Sequence, residues 1–202
     1  MTENRQITVQ NGTKKKDITE QQIKTILPTC LDCLKDEQIW VGYDKKKIPL
    51  NAHTGFGASS TNPNTWVTYQ EAQKAFCNKP DVIGIGVVLG KLHSGYTLCA
   101  FDIDHCINEN GEISKKALDL IKCINGYTEY SVSGTGIHIL FQVADEITIN
   151  TKNQLKISEF GYTTLENIND ENGKFDWCGQ LEFYFQKRYI ALTGKEYHYD
   201  NN

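Results

Sequence analysis

Apolar residues in this chain recur mostly at alternate positions, with helical spacing confined to a few stretches. Alternation or short apolar runs predict strands over 38–43 and 47–50 around a lysine turn, over 82–89, over 96–104, from Ile137 to Val143, and over 180–185 and 189–192. Helices are predicted over 68–77, entered after Trp66, and behind Ser114, where Ala117, Leu118, Ile121 and Ile124 recur at helical spacing. A short helix over 20–27, capped by Asp17 or Thr19 and ended by Pro28, is also expected. Residues 51–65 read as a loop rich in Gly, Ser, Asn and Thr. The polar, aperiodic stretch 145–176 reads as an insertion or mobile loop, and 1–18 as a flexible segment. No internal repeat is evident, and the mixture implies an α/β (α+β) fold.

Three of these segments carry candidate chemistry. In Phe101-Asp-Ile-Asp-His105 a strand puts Asp102 and Asp104 on one face and Phe101 and Ile103 on the other. Two carboxylates so placed repel unless a cation or proton lies between them. Oxygen-only ligands suit Mg²⁺ or Mn²⁺. Glu182, between Leu181 and Phe183, lies opposite a core-directed stripe and brings a third carboxylate. Set against this, Asp-x-Asp alone also marks the solvent side of an edge strand. In Ser131-Val-Ser-Gly-Thr-Gly-Ile-His138, Gly134 and Gly136 let main-chain N–H groups approach an anion, and Ser131 and Ser133 add hydroxyls. His138 falls opposite the apolar face of Ile137, Ile139, Phe141 and Val143, at the mouth of the turn, where an imidazole can bind a phosphate oxygen or shuttle a proton. An ordinary hairpin with a satisfied histidine would look the same. No Gly-Lys-Ser/Thr follows, so this is not a Walker loop.

Taken in order, with Arg188 and Thr193-Gly194 behind Glu182, these segments resemble the three motifs of the archaeo-eukaryotic primase superfamily, in its primase-polymerase (PrimPol) branch of plasmid, phage and prophage replication proteins. Asp102-Ile-Asp-His-Cys106, Tyr127-Thr-Glu-Tyr-Ser131 and the upstream block from Lys47-Ile-Pro49 to Glu71-Ala72 carry the likeness as well, over roughly residues 38–195. The resemblance implies a single catalytic domain over 19–202, with an N-terminal αβ half over about 19–95 and an RRM-like metal-binding half over about 96–200. It implies template-directed nucleotidyl transfer, as a DNA primase, a DNA polymerase or both. Asp102, Asp104 and Glu182 would hold Mg²⁺ or Mn²⁺, and Ser131, Ser133, Gly134, Gly136, His138 and Arg188 the nucleotide. Lys47, just before the proline, would lie near the template or incoming nucleotide. The partners implied are a single-stranded DNA template and primer, an NTP or dNTP, and a companion helicase domain or replication protein.

Composition narrows the classes further. With 39% hydrophobic and 23% charged residues the chain is globular in character. No apolar run approaches the roughly 20 residues of a membrane span, and Met1-Thr-Glu-Asn-Arg5 lacks a signal-peptide core, so a cytoplasmic protein without a membrane partner is expected. Seven scattered cysteines fit reduced thiols, and Cys30-x-x-Cys33 has no second pair at zinc spacing. A net charge of −4 argues against a surface that binds DNA throughout but leaves room for local basic patches at Lys14–Lys16, Lys45–Lys47 and Lys187-Arg188. Two other classes remain open. A metal-dependent phosphohydrolase or nuclease also uses Asp-x-Asp, although a haloacid-dehalogenase type expects Thr or Val where Cys106 stands. A catalytically silent single-strand-binding module of a replication initiator would need neither the paired aspartates nor Glu182.

Overall fold

The computed structural model of the chain describes residues 28–144, 162–167 and 180–199. The helix expected over 20–27, the tail over 1–18 and most of 145–176 lie outside those residues. After a short 3-10 helix, Thr29–Leu34, the order is β1 (Trp40–Tyr43), β2 (Pro49–Leu50), α1 (Tyr69–Asn78), β3 (Gly84–Val88), β4 (Gly90–Lys91), β5 (Thr97–Ile103), α2 (Lys115–Ile124), β6 (Tyr127–Tyr130), β7 (Ile137–Val143), β8 (Tyr162–Asn167), β9 (Gln180–Tyr184) and β10 (Tyr189–Ala191). A second 3-10 turn, Pro63–Thr65, lies in the loop before α1.

The strands form two sheets, one ordered β10-β3-β1-β2 and the other β6-β7-β5-β9-β8, with β4 also pairing β5. Every named pair is antiparallel, which makes the fold α+β. The second sheet is layered between the first sheet and α2. On one side Leu98, Ala100, Leu140, Tyr127 and Tyr184 join Ile85, Val87 and Ile190 in a core that continues through Trp40 to Tyr69, Ala72 and Ala75 of α1. On the other, Ile103, Ile137 and Ile139 pack with Ala117 and Ile121 of α2. Both sets follow from period-two alternation along the same strands.

The helix boundaries have local causes. Glu71 accepts from the Thr68 N–H at 2.9 Å, closing a capping box at the start of α1. Ser114 Oγ accepts from the Ala117 N–H at 3.2 Å, and Asn125 ends α2 in the left-handed region.

Besides the short 3-10 helix at Thr29–Leu34 and the two-residue β4, which the pattern did not mark, three elements differ from the sequence pattern. A strand, β8, runs through the stretch read as irregular; its threonines and tyrosine suit a pleated surface although few residues there are apolar. β6 was not foreseen, since its four residues are too short to establish a period. The strands at 180–185 and 189–192 do not complete one sheet: β9 pairs β5, whereas β10 crosses to pair β3. After β10 the chain returns, and Tyr197 N–H donates to Thr128 O at 2.8 Å along the outer edge of β6.

Candidate active site

Strand register builds the site. Asp102 on β5 stands opposite both His138 on β7 and Glu182 on β9, and His138 stands opposite Glu129 on β6. Alternation therefore lays Glu129, His138, Asp102 and Glu182 in one row across four strands, on the face that buries Leu98 and Ala100 one pleat earlier. Asp104 follows directly on β5, its N–H donating to Gln180 O at 2.9 Å, so the two ends of β5 and β9 are tied together at the site.

One ligand oxygen from each of Asp102, Asp104 and Glu182 lies within 4.8 Å of the others. Burial pushes the Asp102 carboxyl up to about 6; His138 pulls against that rise, while Asp104 and Glu182 add to it. Asp102 Oδ1 is buried without a hydrogen-bond partner, and His138 Nε2 is 3.6 Å away, beyond hydrogen-bond reach. An orphaned buried oxygen inside an oxygen-only cluster fits a hard divalent cation, which needs such oxygens and relieves their repulsion. The Tyr184 hydroxyl donates to Glu182 Oε2, and burial followed by that bond pushes the phenol well above its ordinary range, keeping it a donor.

His138 is buried on β7, its Nδ1 3.1 Å from Glu129 Oε1. Burial alone would lower its pKa; the bond to Glu129 and the charges of Asp102 and Glu129 outweigh that and push it up. The turn before it is a compact unit. Gly134 has φ 79°, its N–H donates to Ser131 O at 3.0 Å, and Ser131 N–H donates to Gly136 O at 2.9 Å. Gly136 presses on the end of β5, where a Cβ would meet Ile103 O at 2.8 Å, so a side chain there would push the turn off the aspartates.

A cavity of about 490 Å³ opens beside Asp102, within the ~300–1,000 Å³ usual for small-ligand sites. Lys47, His138 and Arg188 line it with Asp102, together with Pro49, Ser59, Ser60, Val132, Tyr184 and Tyr189. Lys47 sits at φ 60° in a turn whose Asp44 Oδ1 accepts from the Lys46 and Ile48 N–H groups at 2.9 and 2.8 Å. The Tyr189 hydroxyl donates to Lys47 O, and the Arg188 guanidinium lies 5.3 Å from the Tyr184 ring centroid.

Lys47, Asp102, His138 and Arg188 thus converge from four parts of the chain, with Asp104 and Glu182 adjoining. The turn contributes Val132 to the lining, whereas Ser131 lies buried beneath it, its Oγ 2.9 Å from Ser133 Oγ. Gly134's N–H is used within the turn. The sequence pattern missed Ser59, Ser60, Tyr184 and Tyr189 in the lining, and Glu129 behind His138. Glu129 had one signal: a lone acidic residue between Thr128 and Tyr130, just ahead of the turn.

No profile of a known protein family matches the chain. It is similar to the DNA primase-polymerase of Nitratiruptor phage NrS-1, 32% identical over 158 residues that make up 78% of this chain. The chain spans only 19% of that protein's length. Among the described residues no helix is long and apolar enough to cross a membrane.

Proposed function

We propose that this chain, which belongs among the primase-polymerase domains, carries out template-directed nucleotidyl transfer on single-stranded DNA, making or extending a primer from NTPs or dNTPs. The observation that carries the proposal is the buried, unpartnered Asp102 oxygen, set between Asp104 and Glu182 at the wall of a cavity lined by Lys47, His138 and Arg188. Carboxylates alone would repel a triphosphate; carboxylates facing cations across a small-molecule cavity suit one bound through metal. The phage relative's name as a DNA primase-polymerase supports the same reading.

Asp102, Asp104 and Glu182 would hold the divalent ions, Mg²⁺ or Mn²⁺, in a two-metal arrangement. Ions held there would lower the pKa of an attacking 3′-hydroxyl and neutralise charge on a departing pyrophosphate. Tyr184 keeps Glu182 turned toward its neighbours through its hydroxyl. Lys47, His138 and Arg188 bind triphosphate oxygens; Arg188 offers a planar fork and Lys47 a point charge. Ser131 and Ser133 hold the turn that carries His138, and Gly136 lets that turn reach the aspartates. Most of the rate then comes from position and electrostatics. A helicase domain or other replication protein would supply the strand.

Incubating the protein with a single-stranded template, labelled NTPs or dNTPs and Mg²⁺ or Mn²⁺ tests this. Polymer products lengthening with time are expected. Released monophosphate, or retained strand without polymer, would contradict it.

A further inference from the structure

Glu129 is fully buried, and both its oxygens are met by donors. Oε2 accepts from the Tyr127 hydroxyl at 2.8 Å and the Gly194 N–H at 3.0 Å; Oε1 lies 3.1 Å from His138 Nδ1; the Thr193 N–H is 3.1 Å from each oxygen. A carboxylate left in such a place without partners would be costly, and this one is satisfied from three directions. It has no exposed surface, and it does not line the cavity.

The donors have different origins. Tyr127 belongs to β6 itself, whereas Thr193 and Gly194 lie where the chain leaves the first sheet for the edge of the second: Leu192 N–H donates to Ile85 O at 3.0 Å, and Tyr130 N–H to Lys195 O at 2.9 Å. Gly194 makes that crossing at φ 66°, a backbone region that favours glycine. Glu129 is therefore the point at which β6, β7 and the crossing segment behind β10 are joined. Its acceptor-only oxygens place the proton of His138 on Nδ1, which turns Nε2 toward Asp102 and the cavity.

We infer that Glu129 is a positioning residue for the nucleotide site, fixing the ring plane of His138 and holding a proton on its Nδ1, and that the Thr193-Gly194 backbone in turn fixes Glu129. The identity of the occupant rests on the function proposed above; the positioning of the ring does not. The Thr-Gly pair thereby has a physical task at a distance from the reacting atoms, since only its backbone is used at Glu129. Replacing Glu129 by Gln keeps the length but turns one end of the group into a donor. That donor must face either His138 Nδ1, which reverses or breaks the ring bond, or the Gly194 N–H, which breaks the contact that fixes Glu129 to the crossing segment; the Thr193 N–H opposes it in both cases.

The test combines nitrogen NMR of the His138 ring with binding titrations of ATP and dATP and of a single-stranded oligonucleotide, on the wild type and on Glu129→Gln checked for fold by circular dichroism. The wild type is expected to show a protected proton on Nδ1. The variant is expected to lose that signal and to bind nucleotide roughly 10-fold more weakly, the scale seen when a partner that orients a metal-site histidine is removed. Its oligonucleotide affinity should stay unchanged. A wild-type ring with a bare Nδ1 would overturn the inference even if the variant failed to fold. So would a folded variant with unaltered ring signals and nucleotide affinity, or one losing nucleotide and oligonucleotide affinity equally. A wild type that makes no polymer but shows the ring proton and the selective loss would overturn the proposed function and support this inference.

Discussion

Phe101 and Asp102 are neighbours in the chain, yet they occupy the two faces of one sheet, and those faces obey different rules. Toward α2, Phe101, Ile103, Ile137, Ile139 and Leu181 pack with Ala117 and Ile121, and Phe101 stacks with Phe141 and tilts against Phe183 at centroid distances of 5.5 and 5.0 Å. Ile103, Ile137 and Ile139 are fully buried there, and the half-buried Phe101, Phe141, Leu181 and Phe183 pack on one another or on that core with no polar group among them. Toward the first sheet, the same strands bury Leu98, Ala100 and Leu140, then change within one pleat to Asp102, His138 and Glu182. That polar end carries an orphaned oxygen and crowded carboxylates which the fold alone does not require. Strand alternation places both faces, but only the polar one carries a buried polar atom that its own fold leaves without a partner.

The contrast breaks most visibly in activity. Glu182→Gln retains shape and hydrogen bonding but removes one charge from the carboxylate group, and incorporation on a primed template should fall by several orders of magnitude, with partial recovery at raised Mn²⁺. Normal turnover would show that Glu182 lies outside the site. On the other face the same size of change should act on stability. Ile139→Ala empties a fully buried position and is expected to cost about 3 kcal/mol in denaturant unfolding, while the folded fraction keeps its nucleotide affinity. A loss of affinity with unchanged stability would erase the distinction between the faces.

Much of this division was legible beforehand. The Asp102/Asp104 pair, the opposite faces of Ile137 and His138, and the helix behind Ser114 all follow from periodicity within one segment. What alternation does not contain is register. That Glu182 meets Asp102, or that Glu129 meets His138, depends on pairing between segments separated by loops, and a slip of one residue would turn either side chain to the other face. The exchange of β10 into the first sheet is equally invisible locally, because an edge strand in either sheet reads alike. β8 was hidden by its polarity, and Lys47 reaches the cavity only because β2 returns beside β1.

A smaller effect sharpens the assignment at the cavity rim. Lys47→Ala should weaken ligand binding without changing the metal dependence of activity. If its partner is a template phosphate, the slope of log affinity against log salt for an oligonucleotide should flatten by about one. A Lys47 variant that altered metal affinity alone would place the lysine on the wrong partner.

The central claim, that the polar end of the face is held at a cost in stability which a cation relieves, is tested most directly by thermal melting of Asp102→Asn against wild type across pH, with chelator and then with Mn²⁺. The folded-state carboxyl is raised from 3.8 to about 6, so its contribution is fully present below pH 3.8 and is lost as pH climbs through about 6. Above that, ionised Asp102 costs on the order of 3 kcal/mol, and asparagine does not. In chelator at pH 7.5 the variant should melt on the order of 5 °C higher than wild type, and the gap should close toward pH 4. Mn²⁺ should then raise the wild type and leave the variant almost unmoved. A wild type that melts higher in chelator at pH 7.5, or a variant stabilised by Mn²⁺ as much as wild type, would contradict the account.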